Sequence, residues 1–293
     1  MKFFTSANFH KDNRKRAHGE RQKFNPAPGG DSPMFPIQRL KPFVFLVPAT
    51  FLALLVACTT IGETGKSTLM LVSPQQEVAL GASSFQELKK NVPVSQDAAK
   101  NTALQRVGRR LAAVTDMPNA QWEFVVFDNP EPNAFALPGG KVGFYTGIFP
   151  ICKDEEGLAV VMSHEIAHVT LRHGGERLSQ GLLVEMGRNA LGLALYDNEY
   201  KTRQLADAAF GVGSAVFVTL PFSRKQELEA DRIGLRYMKR AGYNPQAAVD
   251  FWKRFAEYKQ ARGGSAPPEY LSTHPADSQR IAQLQALVDS GNF

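Results

Sequence analysis

Cysteine is scarce in this sequence, and its scarcity excludes a fold held together by disulfides. The 293 residues contain two cysteines, Cys58 and Cys152. Because Cys58 ends an apolar N-terminal run, where we expect it to be modified, Cys152 is left without a partner. We interpret Cys152 as a small core residue rather than a nucleophile, since an unpaired cysteine commonly packs as a small hydrophobe.

Long apolar runs are missing as well. The N-terminal run, residues 43–57, is interrupted by Pro48 and is shorter than the roughly 20 residues that a membrane-spanning helix needs. Two later apolar stretches, 182–200 and 205–222, are broken by charged residues. A phosphate-binding loop is also excluded, because the first glycine of its motif would fall at Thr60.

The basic residues do not form an excess on the main part of the chain. Residues 1–57 contain nine Lys and Arg against three Asp and Glu, and residues 58–293 contain 25 of each, so the net charge of +6 lies wholly in the N-terminal segment. A nucleic-acid-binding domain needs a basic face. We therefore expect no nucleic-acid partner.

Residues 1–57 are typical of an N-terminal extension followed by an export signal. The apolar run ends in LVAC at 55–58, which resembles the lipobox of a bacterial lipoprotein. We expect Cys58 to be lipidated, residues 58–74 to form a tether, and the protein to face the periplasm from a Gram-negative outer membrane. A start at Met34 would give a signal of ordinary length. A short membrane anchor or a buried helix is the alternative interpretation.

The stretch VVMSHEIAHVTLRHGGER, residues 160–177, contains three of the six histidines in the chain. His164, Glu165 and His168 form the pattern H-E-x-x-H. Residues four apart on a helix lie about 40° from each other, so the two histidines can bind one metal ion. Glu165, about 100° from His164, can approach a water on that ion. His173, about 140° beyond His168, is predicted to be a helix-end residue.

A third metal ligand must come from elsewhere, because a catalytic zinc takes three protein ligands and keeps one position for water. The stretch FSRKQELEADRIG, 222–234, predicts a helix that ends near Gly242, on which Glu227 and Asp231 share a face. Glu227 suits the third ligand, and Asp231 suits the acceptor for the outer N–H of a ligand histidine. Glu229 is expected to point into solvent. Two surface acids on a charged helix are the alternative interpretation.

These motifs together resemble the zinc metallopeptidase family of the CAAX prenyl proteases, HtpX and the periplasmic BepA/LoiP-type proteases. H-E-x-x-H is followed by E-x-x-A-D, and the stretches NAFALPGG at 133–140 and THP at 273–275 also match; the similarity spans residues 75–285. The resemblance implies a zinc metalloendopeptidase of the soluble, lipid-tethered branch, with one zinc per chain. It implies His164, His168 and Glu227 as zinc ligands and Glu165 as the general base.

Two further site elements follow from the motifs. His274 can donate a hydrogen bond to a developing oxyanion, or it can occupy the open position of the zinc and keep the enzyme latent. A His-Pro turn without a site role is the third interpretation. The strand 133–137 is predicted to be a sheet edge that pairs with the substrate backbone, with an ordinary hairpin as the alternative. Its residues are Asn133, Ala134, Phe135, Ala136 and Leu137.

We predict an α+β fold, in which residues 75–293 form a mostly helical, zincin-like metallopeptidase domain with a small β-sheet beside the H-E-x-x-H helix. The predicted helices lie within 75–115, from Asp154 to near 173–175, at 244–259 and at 281–288, and the predicted strands lie at 121–129 and within 133–149. The outer helices are expected to pack through Trp252, Phe255, Ile281 and Leu284.

The predicted function is quality control by proteolysis. Glu165 would activate the water on the zinc, and the substrates would be unfolded or misassembled envelope proteins, since backbone pairing reads little sequence. The main alternative is a zinc-stabilised lipoprotein chaperone that binds such proteins without cutting them. A purely structural zinc needs no base, so the presence of Glu165 argues against that alternative. An interaction domain without a metal is a third possibility.

Overall fold

The computed structural model describes residues 58–62, 64–194, 220–261, 270, 274 and 278–293. The chain divides into two compact units, Met1–Pro48 and Ala49–Phe293, and every described residue belongs to the second. The predicted extension and export signal at 1–57 therefore lie outside the described residues. Thr273 and Pro275, the neighbours of His274, lie outside them too.

Helices surround a small mixed sheet, which confirms the predicted α+β fold. The strands are β1 (Cys58–Thr60), β2 (Ser67–Leu69), β3 (Glu123–Phe127), β4 (Ala134–Leu137) and β5 (Lys141–Tyr145). The helices are α1 (Pro74–Asn91), α2 (Ala98–Ala112), α3 (Phe149–Cys152), α4 (Glu155–Thr170), α5 (His173–Ala194), α6 (Leu220–Arg240), α7 (Gln246–Ala261) and α8 (Ser278–Ser290). In the described part of the chain, no helix combines the length and the apolar composition needed to cross a bilayer.

The helical pattern within 75–115 is divided into two helices. Val92, which precedes Pro93, has an extended backbone and ends α1, because proline disfavours the helical conformation in the residue before it. Asp97 then begins α2 by accepting a hydrogen bond from the backbone N–H of Lys100 at 3.0 Å, which satisfies one of the free donors of the first turn.

The main sheet has the strand order β3-β5-β4, with β3 parallel and β4 antiparallel to the central β5. The two strands predicted within 133–149 are confirmed. Gly139 and Gly140 connect them with φ angles of 84° and 85°, a conformation that glycine adopts without a steric penalty. As an edge strand of this sheet, β4 packs beside α4.

Helix α4 lies at the centre of the core. Asp154 caps it by accepting from the N–H of Gly157 at 2.9 Å, and every residue from 157 to 170 is buried. Helix α6 can pack closely against α4 because Gly234 has no side chain; a Cβ there would lie 3.3 Å from the backbone of Ser163 and of His164. Of the predicted packing residues in α7 and α8, the buried ones are Trp252, Phe255 and Leu284, and Ile281 is partly buried.

The predicted end of α4 near 173–175 is wrong. The helix ends at Thr170, Arg172 adopts a left-handed φ of 55°, and α5 begins at His173. Gly175 therefore does not cap α4. Its role is to let Glu77 approach, since a Cβ on Gly175 would lie 2.4 Å from the Glu77 carboxyl carbon.

Candidate metal centre

Helix α4 presents His164 and His168 on one buried face. Their Nε2 atoms lie 3.0 Å apart, as the four-residue spacing on a helix allows. Both side chains are shielded from bulk water, so their ring nitrogens need partners within the protein or a bound ion.

Helix α6 brings Glu227 to this pair. Its Oε2 lies 3.2 Å from the His164 Nε2, and its Oε1 lies 3.3 Å from the His168 Nε2. Ala230, which is fully buried one turn further along α6, allows the two helices to approach each other. The structure thus brings together the three side chains that the sequence analysis selected as ligands.

His274 joins the same cluster. Its Nδ1 lies 3.1 Å from the His164 Nε2 and 2.9 Å from the Glu227 Oε2. One donor atom from each of the four residues lies within 4.8 Å of all the others. The cluster therefore offers three imidazole nitrogens and a carboxylate to a single ion.

This donor set fits zinc, which binds imidazole nitrogen and carboxylate oxygen at about 2.0–2.2 Å. In a tetrahedron with such bonds the donors lie about 3.3–3.6 Å apart, and His164, His168 and Glu227 place theirs 3.0–3.3 Å apart. The buried Glu165 Oε1 has no hydrogen-bond partner among the described residues and lies 3.6 Å from the His274 Nε2. A buried carboxylate oxygen is rarely left without a partner, so this atom indicates a place for a water or substrate group beside the cluster.

The outer nitrogen of His164 faces a charged pair. Its Nδ1 lies 3.0 Å from the Asp231 Oδ1, and Arg280 donates to both oxygens of Asp231 at 2.7 Å. The Arg280 Nη1 also lies 3.1 Å from the Glu227 Oε2. Arg280 was not among the predicted site residues. Its signal was available, because this arginine lies on the apolar side of α8, four residues before Leu284, where a charge is unusual.

The outer nitrogen of His168 faces a third histidine. The His173 Nδ1 lies 2.9 Å from the His168 Nδ1, and the His173 Nε2 lies 3.3 Å from the Glu229 Oε2. His173 does lie at a helix end, the start of α5, but it is buried beside His168. Glu229 is partly buried, with its side chain 21% exposed, and not fully solvated as expected. The expectation for His173 assumed that α4 continues, whereas the turn at Arg172 brings His173 back beside His168.

His164 and His168 differ in their preference for a proton. Burial opposes protonation of both. At His164 the carboxylates of Glu227 and Asp231 outweigh burial and raise the pKa to about 9. At His168 burial prevails and holds the pKa well below its ordinary value. Burial also opposes ionisation of Asp231, but the charge of Arg280 lowers its pKa to about 2.

The chain is similar in sequence to a peptidase family and to several known proteases. Residues 98–288 match peptidase family M48. The chain is 40% identical over 176 residues to the mitochondrial metalloendopeptidase OMA1 of Saccharomyces cerevisiae. The aligned residues make up 59% of this chain and 48% of that protein. The corresponding protein of Schizosaccharomyces pombe is 38% identical over 186 residues, 62% of this chain and 51% of that protein. The beta-barrel assembly-enhancing protease of Yersinia pestis is 31% identical over 234 residues, 79% of this chain and 48% of that protein. The chain thus spans about half the length of these relatives.

The expected location in a Gram-negative outer membrane is contradicted by these relatives. The two proteins at 40% and 38% identity are mitochondrial. A short apolar run with basic residues nearby is a weak signal, since targeting segments of several kinds share basic residues. Lipidation of Cys58 stays a prediction. Cys152 is 2% exposed, and burial raises the pKa of its thiol, as we expect of a core residue.

Proposed function

Because the chain belongs to peptidase family M48, we propose that it is a zinc-dependent endopeptidase that cuts extended protein segments at this centre. Membership of the family confirms the resemblance that the motifs predicted. The observation that carries the proposal is the convergence of His164, His168, Glu227 and His274 beside the Glu165 Oε1, which has no hydrogen-bond partner in the described part of the chain. A purely structural zinc site is closed and has no use for such a base.

Glu165 is the residue that moves the proton. When bound, zinc supplies Lewis acidity, which lowers the pKa of a water molecule to about 7 and polarises a carbonyl. The Oε1 of Glu165 accepts a proton from the attacking water and delivers it to the leaving nitrogen. The peptide C–N bond breaks, and a carboxyl group and an amine are formed.

The position of His274 supports a latent form of the enzyme. A catalytic zinc keeps one coordination position open, whereas four protein ligands close the site. The Nδ1 of His274 lies among the ligand atoms of His164 and Glu227, which favours a fourth ligand over a donor to an oxyanion. Replacing His274 with Ala should therefore raise the rate of peptide cleavage, and a large loss of rate would instead support the oxyanion role.

The edge strand provides a place for an extended substrate. A cavity of about 390 Å³ is bordered by the whole segment 133–137 on one side and by Glu165, His168 and His274 on the other. A substrate that pairs with the free edge of β4 would lie alongside the candidate ligands. This geometry supports the prediction that 133–137 binds the substrate backbone.

The surroundings of the cavity favour apolar segments. Leu88, Phe135 and Tyr145 border it, and the rings of Phe135 and Tyr145 pack edge to face with centroids 6.0 Å apart. Folded proteins keep apolar side chains buried and their backbone paired. We therefore propose unfolded or misassembled proteins as the substrate class.

Cleavage of a permanently unfolded, fluorescently labelled protein by the full chain tests the proposal. The wild type should cut it, a chelator should stop cleavage, and added zinc should restore it. The variant Glu165→Gln should bind zinc as the wild type does and cut at less than about 1% of its rate, because general-base catalysis contributes roughly 10²–10⁴-fold. Equal cleavage by the variant would refute the role of Glu165, and cleavage unaffected by the chelator would refute the metal.

A further inference from the structure

His168 is held by a second chain of polar contacts, which starts at its outer nitrogen. With its Nε2 turned toward His164 and Glu227, the Nδ1 of His168 faces the Nδ1 of His173 at 2.9 Å. His173 is 2% exposed. It reaches this position because the chain reverses at Arg172, so that the first residue of α5 lies beside the last turns of α4.

The contacts continue outward from His173 to the hairpin formed by β1 and β2. The Nε2 of His173 lies 3.3 Å from the Glu229 Oε2, and the Nζ of Lys66 lies 3.2 Å from that same oxygen. One assignment of donors and acceptors satisfies every group in this chain of contacts. The Nδ1–H of His168 donates to His173, the Nε2–H of His173 donates to Glu229, and the Lys66 ammonium donates to Glu229.

Hydrogen bonds to α5 hold the hairpin at this point. The Thr68 hydroxyl donates to the Glu176 Oε1 at 2.8 Å, and the Gln226 side chain donates to the Glu176 Oε2 at 2.8 Å. The backbone N–H of Leu71 donates to the Ser179 hydroxyl at 2.8 Å. Lys66 is thus presented by a segment that α5 holds in place through Glu176 and Ser179, and Gln226 on α6 supports Glu176.

We propose that His173 and Glu229 are positioning residues for His168 and that Lys66 anchors them. This inference rests on the proposed function, in which His168 binds zinc through Nε2. A ligand histidine whose outer N–H is held keeps one tautomer and one ring orientation. The hairpin at 58–69, within the segment predicted to be a tether, is then a structural part of the metal centre.

A purely structural role would have a different signature. If His173 only fills space, a residue of similar volume would leave zinc affinity unchanged. If it holds the Nδ1–H of His168, an acceptor at the position of its own Nδ1 is required. Asn places its Oδ1 near that position and can accept the bond, whereas Phe fills the space without an acceptor.

The experiment measures the zinc dissociation constant of the full chain by competition with a coloured chelator, together with the melting temperature of the metal-free protein. His173→Phe should weaken zinc binding about 10–100-fold, the range for residues behind a metal ligand. His173→Asn should recover a large part of that loss. Glu229→Gln should weaken binding by less, and the control Glu87→Gln, which alters an exposed pair with Lys90, should change nothing.

The outcomes separate this inference from the proposed function. Wild-type affinity in both His173→Phe and Glu229→Gln, with zinc still bound by the wild type, would overturn the positioning roles and leave the metal centre intact. Equal weakening by Asn and Phe at residue 173 would also overturn them. If His173→Phe does not fold, Glu229→Gln decides, because Glu229 is partly exposed. Failure of the wild type to bind zinc would overturn the proposed function itself.

Discussion

His164 and His168 lie one turn apart on α4 and face the same centre, yet their outer nitrogens meet different chemistry. The outer nitrogen of His164 contacts the Asp231 carboxylate, which Arg280 binds through two nitrogens. The side chains of Asp231 and Arg280 are both 4% exposed. Behind His168 stands His173, and the first charge on that side belongs to Glu229, whose side chain is 21% exposed. The charges on the first side are buried, and those on the second lie near the surface.

This difference determines on which side the loss of a charge lowers the free energy of unfolding more. A buried ion pair that loses one partner leaves an uncompensated charge in a medium that solvates it poorly. A partly exposed charge that loses its partner is solvated by water. The Asp231–Arg280 side should therefore be sensitive to any change of charge, and the His173–Glu229 side should tolerate one.

The matched substitutions Asp231→Asn and Glu229→Gln test the difference between the two sides most directly. Each removes one negative charge with almost no change of shape. Asp231→Asn should destabilise the protein by about 3–5 kcal/mol, because the buried Arg280 loses the carboxylate that accepts two of its hydrogen bonds. Glu229→Gln should destabilise it by less than about 1 kcal/mol. Chemical denaturation of both metal-free variants measures these values, and equal losses would show that burial does not distinguish the two sides.

Replacing Arg280 with Met removes the positive charge on the His164 side and tests its role there. The variant leaves Glu227 and Asp231 buried without the guanidinium that lies within 3.1 Å of both. Its metal-free form should melt at a lower temperature than the wild type. Added zinc, which replaces the lost positive charge, should raise the melting temperature of the variant by more than that of the wild type. A smaller zinc-induced shift than in the wild type would contradict this charge balance.

Between pH 6.5 and 9 the dependence of stability on pH should come from His164, because the lowered pKa of His168 affects stability only below about pH 6.5. The folded pKa of His164 is raised to about 9, so its contribution is fully present below about pH 6.5, its ordinary pKa. That contribution is lost as the pH rises through 9. The metal-free protein should therefore lose stability between pH 6.5 and 9, and the Asp231→Asn variant should lose less. Denaturation at several pH values checks this, and a flat wild-type profile would contradict the assignment.

The sequence predicted one of these two sides and missed the other. Asp231 was found because it lies one helical turn from Glu227, and helical spacing can be read directly from a sequence. His173 was misjudged because its predicted position assumed an unbroken helix, and the left-handed residue at Arg172 that ends α4 carries no glycine signal. Glu229 was judged to be solvated because its partners, Lys66 and His173, lie on other elements.

The outline of the fold was predicted because it also depends on patterns that are local in the sequence. The strand on each side of Gly139 and Gly140 and the start of α4 at Asp154 follow from local rules on turns and caps. The partners of Arg280 are determined only when α8 packs against α6, and those of Lys66 only when the hairpin packs against α5 and α6. Contacts between distant elements depend on packing, which periodicity in one segment does not reveal.

The central claim is that His164, His168 and Glu227 hold one metal ion together. Equilibrium titration of the full chain with zinc tests it most directly. The account predicts one tightly bound zinc per chain in the wild type and in Glu165→Gln, and a loss of more than about 100-fold in affinity in Glu227→Ala, which lacks a ligand. Wild-type affinity in Glu227→Ala, or the absence of stoichiometric zinc in the wild type, would contradict it.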